Sequence, residues 1–321
     1  MEIGIIGGAG YIGSHVVLEA LERGHSVTVF DDLSTGSKKN IQRNTYFIQG
    51  TTLSLPNLEE MFNYKKYDAI IHLAASKAAG ESMNNPIKYS RNNIIGGLNL
   101  IESCIKNDVK IFIFSSSAAV YGDPEYTPID ELHSLLPSNY YGYTKLCLER
   151  NLDWMDKLNL IKYGSLRYFN AAGFDIKNRI KQLEKNPQNL IPIIMETAAG
   201  LRTEIKIFGN KFNTSDGTGI RDYIHVVDLA KAHLDTIDFI KNEQKSITIN
   251  LGTSHGYSVL DVIKRASKII NKNIKYRFVN RRKGDPGVVV SDCSLAKKII
   301  EWDPKYSNLD TIISSTWELY K

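Results

Sequence analysis

The sequence has few cysteines, no long apolar run and no large excess of one charge. Cys104, Cys147 and Cys293 are odd in number and far apart, which excludes a disulfide framework and a C-x-x-C metal site. Ile3–Leu18 is the longest stretch without Lys, Arg, Asp or Glu. It is shorter than the roughly 18–20 apolar residues that a membrane-spanning helix needs, so we expect no membrane span.

The charges are balanced and dispersed. Lys plus Arg number 40 and Asp plus Glu number 35, for a net charge of +5 over 321 residues. A nucleic-acid-binding protein would concentrate basic residues in one stripe, so we expect no nucleic-acid partner. The start of the chain, Met1-Glu2, is acidic and leads into glycines instead of a cleavage site, and we therefore expect a cytoplasmic protein.

Short apolar segments alternate with longer amphipathic ones in the first half of the chain. The apolar segments are typical of strands buried on both faces of a parallel sheet. They are Ile3–Ile6, Ser26–Phe30, Ala69–Ala74 and Lys110–Ser115. The amphipathic segments, predicted as helices, are Tyr11–Arg23, Ile87–Lys106 and Tyr140–Leu158. This order predicts an α/β fold with a doubly wound parallel Rossmann sheet.

The pattern changes after residue 169. Asp175–Asn189 is charged and irregular, and it is followed by a predicted strand at Thr248–Leu251, a predicted helix at Val259–Ile270 and a loop at Arg281–Gly287. We expect a smaller C-terminal α/β substrate region made of residues 170–221 and 253–321. Residues 1–169, with about 222–252, would then form the dinucleotide-binding domain.

A glycine-rich turn joins the first predicted strand to the first predicted helix. Gly7–Gly13 reads G-G-A-G-Y-I-G, which contains both G-x-G-x-x-G and G-x-x-G-x-x-G. Glycine permits a tight turn and close approach to a pyrophosphate, and the helix that follows directs free N–H groups at the phosphates. The predicted cofactor contacts here are Gly7, Gly10, Tyr11, Ile12 and Gly13.

Asp31 ends the second predicted strand about 20 residues after the glycines, where a carboxylate binds the adenosine ribose hydroxyls. Asp31 and its neighbour Asp32 would repel a 2′-phosphate. The sequence therefore favours NAD as cofactor, although Lys38 and Lys39 are near enough to reach a phosphate and keep NADP open.

A tyrosine and a lysine stand four residues apart in the third predicted helix. Tyr141 and Lys145 would project from one helix face, and a nearby ammonium lowers the pKa of a phenol. Tyr140 has Thr144 as its corresponding partner, which carries no charge. Ser117 follows the strand Lys110–Ser115 at the sheet edge where open α/β folds bind ligands. We predict Ser117, Tyr141 and Lys145 as the catalytic residues.

Several further motifs extend this pattern along nearly the whole chain. They are Ile71–Ser82, Asn92-Asn93, Phe114–Asp123, Arg167–Asn170, Asn189-Leu190, Ile207–Gly209, Asp216–Val226 and Arg281–Asp285. With the glycine turn and the Tyr–Lys pair, they make the sequence resemble the UDP-galactose 4-epimerases of the extended short-chain dehydrogenase/reductase family.

The resemblance implies a tightly bound NAD and a UDP-sugar whose C4 centre is inverted through a transient 4-keto sugar. It implies that Tyr141 removes the C4 hydroxyl proton. It assigns further cofactor contacts to Lys77, Asn92 and Tyr168, besides Tyr141 and Lys145. The implied substrate contacts are Ser117, Tyr141, Asn170, Asn189, Leu190, Phe208, Arg221, Tyr223, Arg282, Asp285 and Val289.

Within that set, the resemblance gives individual roles. Arg221 and Arg282 would clamp the diphosphate, with Asn170 and Asn189 as hydrogen-bond partners, and Asp285 would hold the uridine ribose. A homodimer is also implied, formed through the helices predicted at 87–106 and 140–158.

Two positions depart from the family or vary within it. Gly50-Thr51 stands where the family commonly has Gly-Asp near the adenine. Val289 stands where some relatives carry a tyrosine against the C2 substituent of the hexose. A valine leaves room for an N-acetyl group, so we expect UDP-GlcNAc and UDP-GalNAc as substrates besides UDP-glucose and UDP-galactose.

The same residues bear on several alternative functions. A sugar-nucleotide 4,6-dehydratase or decarboxylase is disfavoured because Ala118 and Ala119 stand where such enzymes place an acid after the active-site Ser or Thr. Epimerases of UDP-uronic acids or UDP-pentoses stay open as alternatives. A non-enzymatic NAD-sensing module is least favoured, because such modules tend to lack the Tyr–Lys pair.

Overall fold

The computed structural model describes residues 1–183, 187–282 and 284–321. The described strands, in chain order, are β1 (Glu2–Ile6), β2 (Ser26–Asp31), β3 (Tyr46–Gln49), β4 (Ala69–His72), β5 (Ile111–Ser117), β6 (Lys162–Tyr168), β7 (Asn170–Ala172), β8 (Ile205–Phe208), β9 (Ile220–His225), β10 (Ile247–Leu251), β11 (Gly256–Ser258), β12 (Tyr276–Val279) and β13 (Val288–Val289).

The described α-helices are α1 (Tyr11–Glu22), α2 (Leu55–Tyr64), α3 (Ala79–Asn84), α4 (Pro86–Tyr89), α5 (Gly96–Lys106), α6 (Tyr140–Lys157), α7 (Leu190–Ala198), α8 (Val226–Glu243), α9 (Val259–Ile270), α10 (Ser294–Ile300) and α11 (Leu309–Trp317). Lys38–Asn40 and Ala118–Val120 form short 3₁₀ turns, and Ser90–Ile95 forms a π-helical segment. In the described parts of the chain, no helix has the length and apolarity required to cross a membrane.

Seven parallel strands form the main sheet in the order β10-β6-β5-β4-β1-β2-β3. The chain proceeds outward from β1 to β3, then returns to β4 and proceeds in the other direction. The strand order reverses between β1 and β4, and ligands bind at the carboxyl ends of strands at such a reversal. The predicted doubly wound parallel sheet is confirmed.

The central strands of the main sheet are buried on both faces, whereas the edge strand β3 exposes Tyr46 and Gln49. In β5, Ile111 and Ile113 pack with α1 and α8 on one side, whereas Phe112 and Phe114 pack with α2, α5 and α6 on the other. Because β4 and β5 are parallel, their polar carboxyl ends lie at the same edge of the sheet.

A separate hydrophobic core lies in the C-terminal half of the chain. Its buried residues come from α7, β8, α9 and α11, with Ala172 of β7 and Tyr223 of β9. β9 pairs with β7, β11 and β13, and β8 pairs with β12, so this half has its own small sheets. The predicted smaller α/β region is therefore present beside the main sheet.

The structure differs from the sequence predictions in the helix of residues 87–106. This segment is not one α-helix: α4 and α5 are joined by the π-helical turn Ser90–Ile95. Such turns insert an extra residue and re-aim side chains at functional sites. Here the Asn93 side chain contacts the backbone of Ser76, and Gly96 lies so close to Thr52 that a Cβ would collide with its hydroxyl.

Strand ends also differ slightly. β4 ends at His72 instead of Ala74, and β5 continues to Ser117, which is the last strand residue. The described part of 175–189 contains no helix or strand. Residues 184–186 of that segment, and Lys283 of the Arg281–Asp285 motif, lie outside the described residues.

Candidate active site

The N-terminus of α6 is held against the turn that follows β5. The Asn139 side chain caps the helix by accepting the Gly142 N–H at 2.9 Å. Gly142 lies against the Ala119 carbonyl oxygen, and a Cβ at this position would overlap that oxygen. Glycine thus permits the close approach that brings Tyr141 to Ser117.

The side chains of Tyr141 and Ser117 lie close enough to interact. Burial raises the pKa of Tyr141 to about 12, and the interaction with Ser117 opposes this shift. Desolvation of the phenolate thus outweighs the contribution of Ser117 in the protein without cofactor. The lowering of this pKa by Lys145 together with the cofactor's positive charge stays a prediction. Tyr141 and Ser117 are thus neighbours, but the Tyr141 phenol is protonated at neutral pH.

Lys145 is buried one turn further along α6, with 3% of the residue exposed. Its Nζ donates to the Ser115 carbonyl oxygen at 2.6 Å and lies 5.8 Å from the centre of the Tyr141 ring. Burial lowers the pKa of Lys145 to about 7. A cation this close to a phenol favours its ionised form only while the lysine stays protonated.

Tyr140 points elsewhere. Its hydroxyl pairs with Ser90 Oγ at 2.7 Å and its ring stacks at a tilt against Tyr143. This orientation agrees with the choice of Tyr141 over Tyr140 as the base.

The glycine turn lies at the carboxyl end of β1, separated from β5 by one strand. Gly7 has φ +84°, a conformation that favours glycine, and a Cβ on Gly13 would overlap the Gly7 carbonyl oxygen. Among the described residues, no side chain caps α1, which begins at Tyr11-Ile12 after the N-cap Gly10. Its first N–H groups can therefore bind an anion.

Asp31 is buried at the end of β2 beside this turn. Its two carboxylate oxygens accept the Ala9 N–H at 3.0 Å and the Leu33 N–H at 2.8 Å. Burial raises the pKa of Asp31, and these backbone hydrogen bonds oppose the shift. Each oxygen keeps acceptor capacity for a ribose hydroxyl. Asp32 is exposed and accepts the Ser34 N–H at 2.8 Å.

Three other predicted cofactor residues lie near the ends of β4 and β6. Asn92 donates to Ser76 Oγ at 2.9 Å, which places it beside the segment that carries Lys77. Tyr168, at the end of β6, is buried and pairs with the Ser115 hydroxyl. Thr51, in the position that departs from the family, accepts the Leu53 N–H at 3.3 Å.

On the substrate side, Arg221 and Asp285 form an ion pair of 2.5 Å. The Arg221 guanidinium also donates to the Pro286 carbonyl oxygen at 2.9 Å. The Arg282 guanidinium lies 3.7 Å from the centre of the Phe208 ring. The two predicted diphosphate clamps thus lie in one cluster with the predicted ribose partner.

The remaining predicted substrate residues come from neighbouring elements. Asn170 begins β7 and is paired with Tyr223 of β9, and Asn189 is the N-cap of α7, which starts at Leu190. Val289 ends β13 beside Arg221 and packs against the cluster of Val120, Tyr121, Ile129, Leu146 and Phe169. Its side chain is half-buried.

The sequence analysis did not predict the residues that fix α6 to its neighbouring elements. Asn93 donates to Thr144 Oγ1 at 2.9 Å and so ties the π-helical turn to α6. Ser116 and Glu149 form a third contact between β5 and α6. Glu149 could have been found from its position four residues after Lys145, since that spacing repeats the Tyr–Lys spacing. Among the described residues, no cluster of His, Cys, Asp or Glu is placed to hold a metal ion.

The comparisons with known proteins agree with this geometry. The family model described as "NAD dependent epimerase/dehydratase family" matches residues 3–252. The chain is 38% identical over 321 residues to the UDP-glucose 4-epimerase of Lacticaseibacillus casei, covering 100% of this chain and 97% of that relative.

Two solved structures have the same fold. The UDP-glucose 4-epimerase from Brucella ovis in complex with NAD aligns with a TM-score of 0.96 at 36% identity, over 99% of this chain and 98% of that one. The UDP-Glc/GlcNAc 4-epimerase from Campylobacter jejuni aligns with a TM-score of 0.86 at 40% identity, over 99% and 98%. The chain belongs to the NAD dependent epimerase/dehydratase family.

Proposed function

We propose that the protein is a UDP-sugar 4-epimerase that interconverts UDP-glucose and UDP-galactose with NAD as its cofactor. The observation that carries this is the proximity of the Ser117 and Tyr141 side chains beside buried Lys145, at the sheet edge that also bears the glycine turn. Its relatives named above are 4-epimerases.

The residues at the sheet edge fit NAD. The turn Gly7–Gly13 leaves a space that a side chain at Gly7 or Gly13 would fill. The uncapped N-terminus of α1 suits the pyrophosphate, and the Asp31 carboxylate suits the adenosine ribose. Lys77, Asn92 and Tyr168 are the further proposed contacts. When bound, NAD accepts a hydride from C4 of the sugar and returns it, and its positively charged ring favours the ionised phenol of Tyr141.

The chain's own groups handle the proton. Tyr141 Oη takes the proton of the sugar's C4 hydroxyl, Ser117 shares it through a hydrogen bond, and Lys145 stabilises the phenolate. For the transient 4-keto sugar to present its other face, the hexose must turn while the nucleotide stays bound.

The proposed substrate contacts fit a nucleotide that stays bound while the hexose turns. Arg221, Arg282 and Asp285 are proposed to hold the diphosphate and uridine ribose, with Asn170, Asn189, Leu190, Phe208 and Tyr223 around them. Such charged contacts fix the nucleotide, whereas the hexose faces the smaller side chains of Ser117 and Val289.

The direct test is proton NMR of the anomeric region after the purified protein, without added NAD, is mixed with UDP-galactose. Appearance of UDP-glucose is the expected result. No conversion of UDP-galactose, even with NAD added, would refute the proposal. UDP-galacturonic acid and UDP-arabinose in parallel tubes test the two alternative epimerases, and a 4-keto-6-deoxy product would indicate the dehydratase.

We also propose that UDP-GlcNAc and UDP-GalNAc are substrates, because Val289 is small and lies beside Arg221. The Campylobacter jejuni relative, described as a UDP-Glc/GlcNAc 4-epimerase, supports this breadth. Val289→Tyr should remove conversion of UDP-GalNAc and keep that of UDP-galactose. Val289→Ala is the matched control and should keep both. Equal loss of both activities in Val289→Tyr would contradict the gatekeeper role.

A homodimer is proposed through the helical segments of residues 86–106 and 140–157. Their outer faces expose large apolar side chains, which mark interaction surfaces when they are clustered. These are Ile87, Ile95, Leu98, Tyr143 and Trp154. Light scattering at micromolar concentration should give twice the chain mass, and Leu98→Glu should halve it. A monomeric wild type would disprove the proposal.

Three further assignments complete the proposal. The division into residues 1–169 with about 222–252, and 170–221 with 253–321, is retained as cofactor-binding and UDP-sugar-binding parts. The three cysteines are unpaired, which suits a reducing compartment, and we propose the cytoplasm. We also propose that the reaction serves galactose metabolism. Cell fractionation tests the location, and growth of a deletion strain on galactose tests the metabolic role.

A further inference from the structure

Three consecutive serines end β5, and α6 contacts each of them with a different residue. Tyr141, Lys145 and Glu149 are spaced by four, so they share one face of α6. The contacts are Ser117 with Tyr141, the Ser115 carbonyl oxygen with Lys145 Nζ at 2.6 Å, and Ser116 Oγ with Glu149 Oε1 at 2.5 Å. Together they set the height and the rotation of the helix against the strand.

The Glu149 carboxylate is buried and fully engaged. Its side chain and that of Arg167 are each 6% exposed, and Arg167 Nη2 donates to Glu149 Oε2 at 2.6 Å. Arg167 Nε adds contacts of 3.0 and 3.2 Å to the two oxygens. Buried charges cost free energy unless they are paired and hydrogen-bonded, and this pair meets that condition.

The same network extends to the substrate side. Arg167 Nη1 donates to Tyr121 Oη at 3.1 Å, and Tyr121 Oη donates to Asn250 Oδ1 at 2.7 Å. Asn250 Nδ2 donates to the Ile129 carbonyl oxygen at 2.9 Å, and the Ile129 N–H donates to the Val290 carbonyl oxygen at 2.8 Å. Val290 follows β13 directly. The catalytic helix and β13 therefore share one buried framework.

We propose that Glu149 is a positioning residue for the Tyr141–Lys145 pair, fixing α6 against β5 and keeping the buried amine protonated. The inference rests on the catalytic roles proposed above for Tyr141 and Lys145. It adds a residue that touches neither substrate nor cofactor and acts through its neighbour on the helix.

The surroundings of Lys145 support the electrostatic part. Burial lowers the pKa of Lys145 to about 7, and the Glu149 charge raises it. His72 of β4 also faces the amine, but burial lowers its pKa to about 3 and it stays neutral. Tyr168 of β6 is neutral because burial raises its pKa. Arg167 keeps its positive charge, since pairing with Glu149 raises its pKa, and its guanidinium contacts Glu149 and Tyr121. Glu149 is the member of this pair whose charge acts on the Lys145 amine.

The test compares kcat–pH profiles. The Glu149→Gln variant keeps the shape of the side chain and its contact with Ser116 but loses the negative charge. The alkaline limb of its kcat–pH profile should therefore move to lower pH by about one unit or more. KM for UDP-galactose and the NAD content should stay near wild type. An unmoved alkaline limb in a folded variant would overturn the proposal.

Because Glu149→Gln leaves Arg167 unpaired and could unfold, the double variant Glu149→Met with Arg167→Met provides a second measurement. It removes both charges, should fold, and should move the same limb in the same direction; a wild-type limb there would equally overturn the proposal. Ser116→Ala keeps the charge and should lower kcat without moving the limb.

Asp228→Asn is the matched control, since Asp228 is a buried carboxylate on α8 that accepts the Ser307 hydroxyl at 2.6 Å. It should cost stability and leave the profile unchanged. Absence of epimerisation in the wild type would refute the proposed function instead. The positioning role alone would be refuted if the wild type is active, Tyr141→Phe is inactive and the alkaline limb of Glu149→Gln does not move.

Discussion

Two proposed parts of the site are held in place differently. They are the catalytic corner, formed by Ser117, Tyr141 and Lys145, and the substrate side, formed by Arg221, Arg282 and Asp285. In the corner Lys145 is buried and Ser117 and Tyr141 are half-buried, and the Lys145 amine donates to the backbone of β5. On the substrate side the charged groups pair with each other, with 18% of the Arg221 and 29% of the Asp285 side chain exposed. The contacts of the corner are thus preformed, whereas Arg221, in its proposed role, would have to exchange contacts to bind a diphosphate.

This difference has a physical reason. Proton transfer requires heavy atoms within hydrogen-bond distance and with little freedom, which packing against a sheet provides. A nucleotide must enter and leave, and partly exposed ion pairs are weak enough to be replaced. The following variants should therefore affect turnover at the corner and affinity on the substrate side.

The largest effect is expected for Tyr141→Phe. Removal of the phenolic oxygen removes the general base, so kcat should fall by about 10²–10⁴-fold while the fold and the bound NAD are kept. Anomeric proton NMR measures turnover and absorbance of released nucleotide measures NAD. Tyr140→Phe is the neighbouring control and should keep its activity; a Tyr141→Phe variant with the wild-type rate would exclude the corner as the site of chemistry.

Lys145→Met should lower kcat by about 10²–10³-fold, because it removes the charge that stabilises the phenolate. It should also raise thermal stability in a pH-dependent way. The pKa of Lys145 is about 7 in the folded protein and has an ordinary value of 10.5, so burying the ammonium costs stability fully below pH 7. The gain in Tm should be largest near pH 6 and disappear as pH rises towards 10.

Thermal unfolding at several pH values checks this. Lys157→Met, on the exposed end of the same helix, should show no such gain. A gain in Lys145→Met that is independent of pH would mean that packing, and not charge, causes it.

Gly142→Ala tests the close approach of α6 to the turn after β5. The added methyl group would overlap the Ala119 carbonyl oxygen and push Tyr141 away from Ser117. Because a displacement of about 1 Å costs roughly 10²-fold in rate, kcat should fall by about that factor while KM changes little. Gly80→Ala, where a Cβ meets open space, is the control; a larger change in KM than in kcat would contradict the prediction.

The smallest effect is expected on the substrate side. Asp285→Asn removes the carboxylate that orients Arg221, and its partial exposure limits the loss to at most about fivefold in KM for UDP-galactose. The value of kcat should be kept. Initial rates over a range of UDP-galactose concentrations measure both constants, with Asp310→Asn at the exposed Arg265 pair as control. A lower kcat at unchanged KM would remove the distinction between the two regions.

The local patterns predicted much of this molecule. The apolar runs indicated five strands of the main sheet, β10 among them, and the glycine turn lies between β1 and α1 as the motif requires. Strands β3 and β6 and helix α8 were not predicted. Residue 117 was placed after its strand, although it is the last residue of β5. The π-helical turn was also missed. Asn93 within it and Gly96 directly after it contact Thr144 and Thr52, which are far away in the sequence and leave no mark in the local pattern.

The spacing of Tyr141 and Lys145 and the order of the motifs determine the family and the chemistry, since periodicity places both side chains on one helix face whatever the surroundings. Only the tertiary structure decided the protonation of Tyr141, the pairing of Arg221 with Asp285 and the position of Glu149 behind Lys145. These depend on desolvation and on contacts between residues far apart in sequence, which no local pattern records.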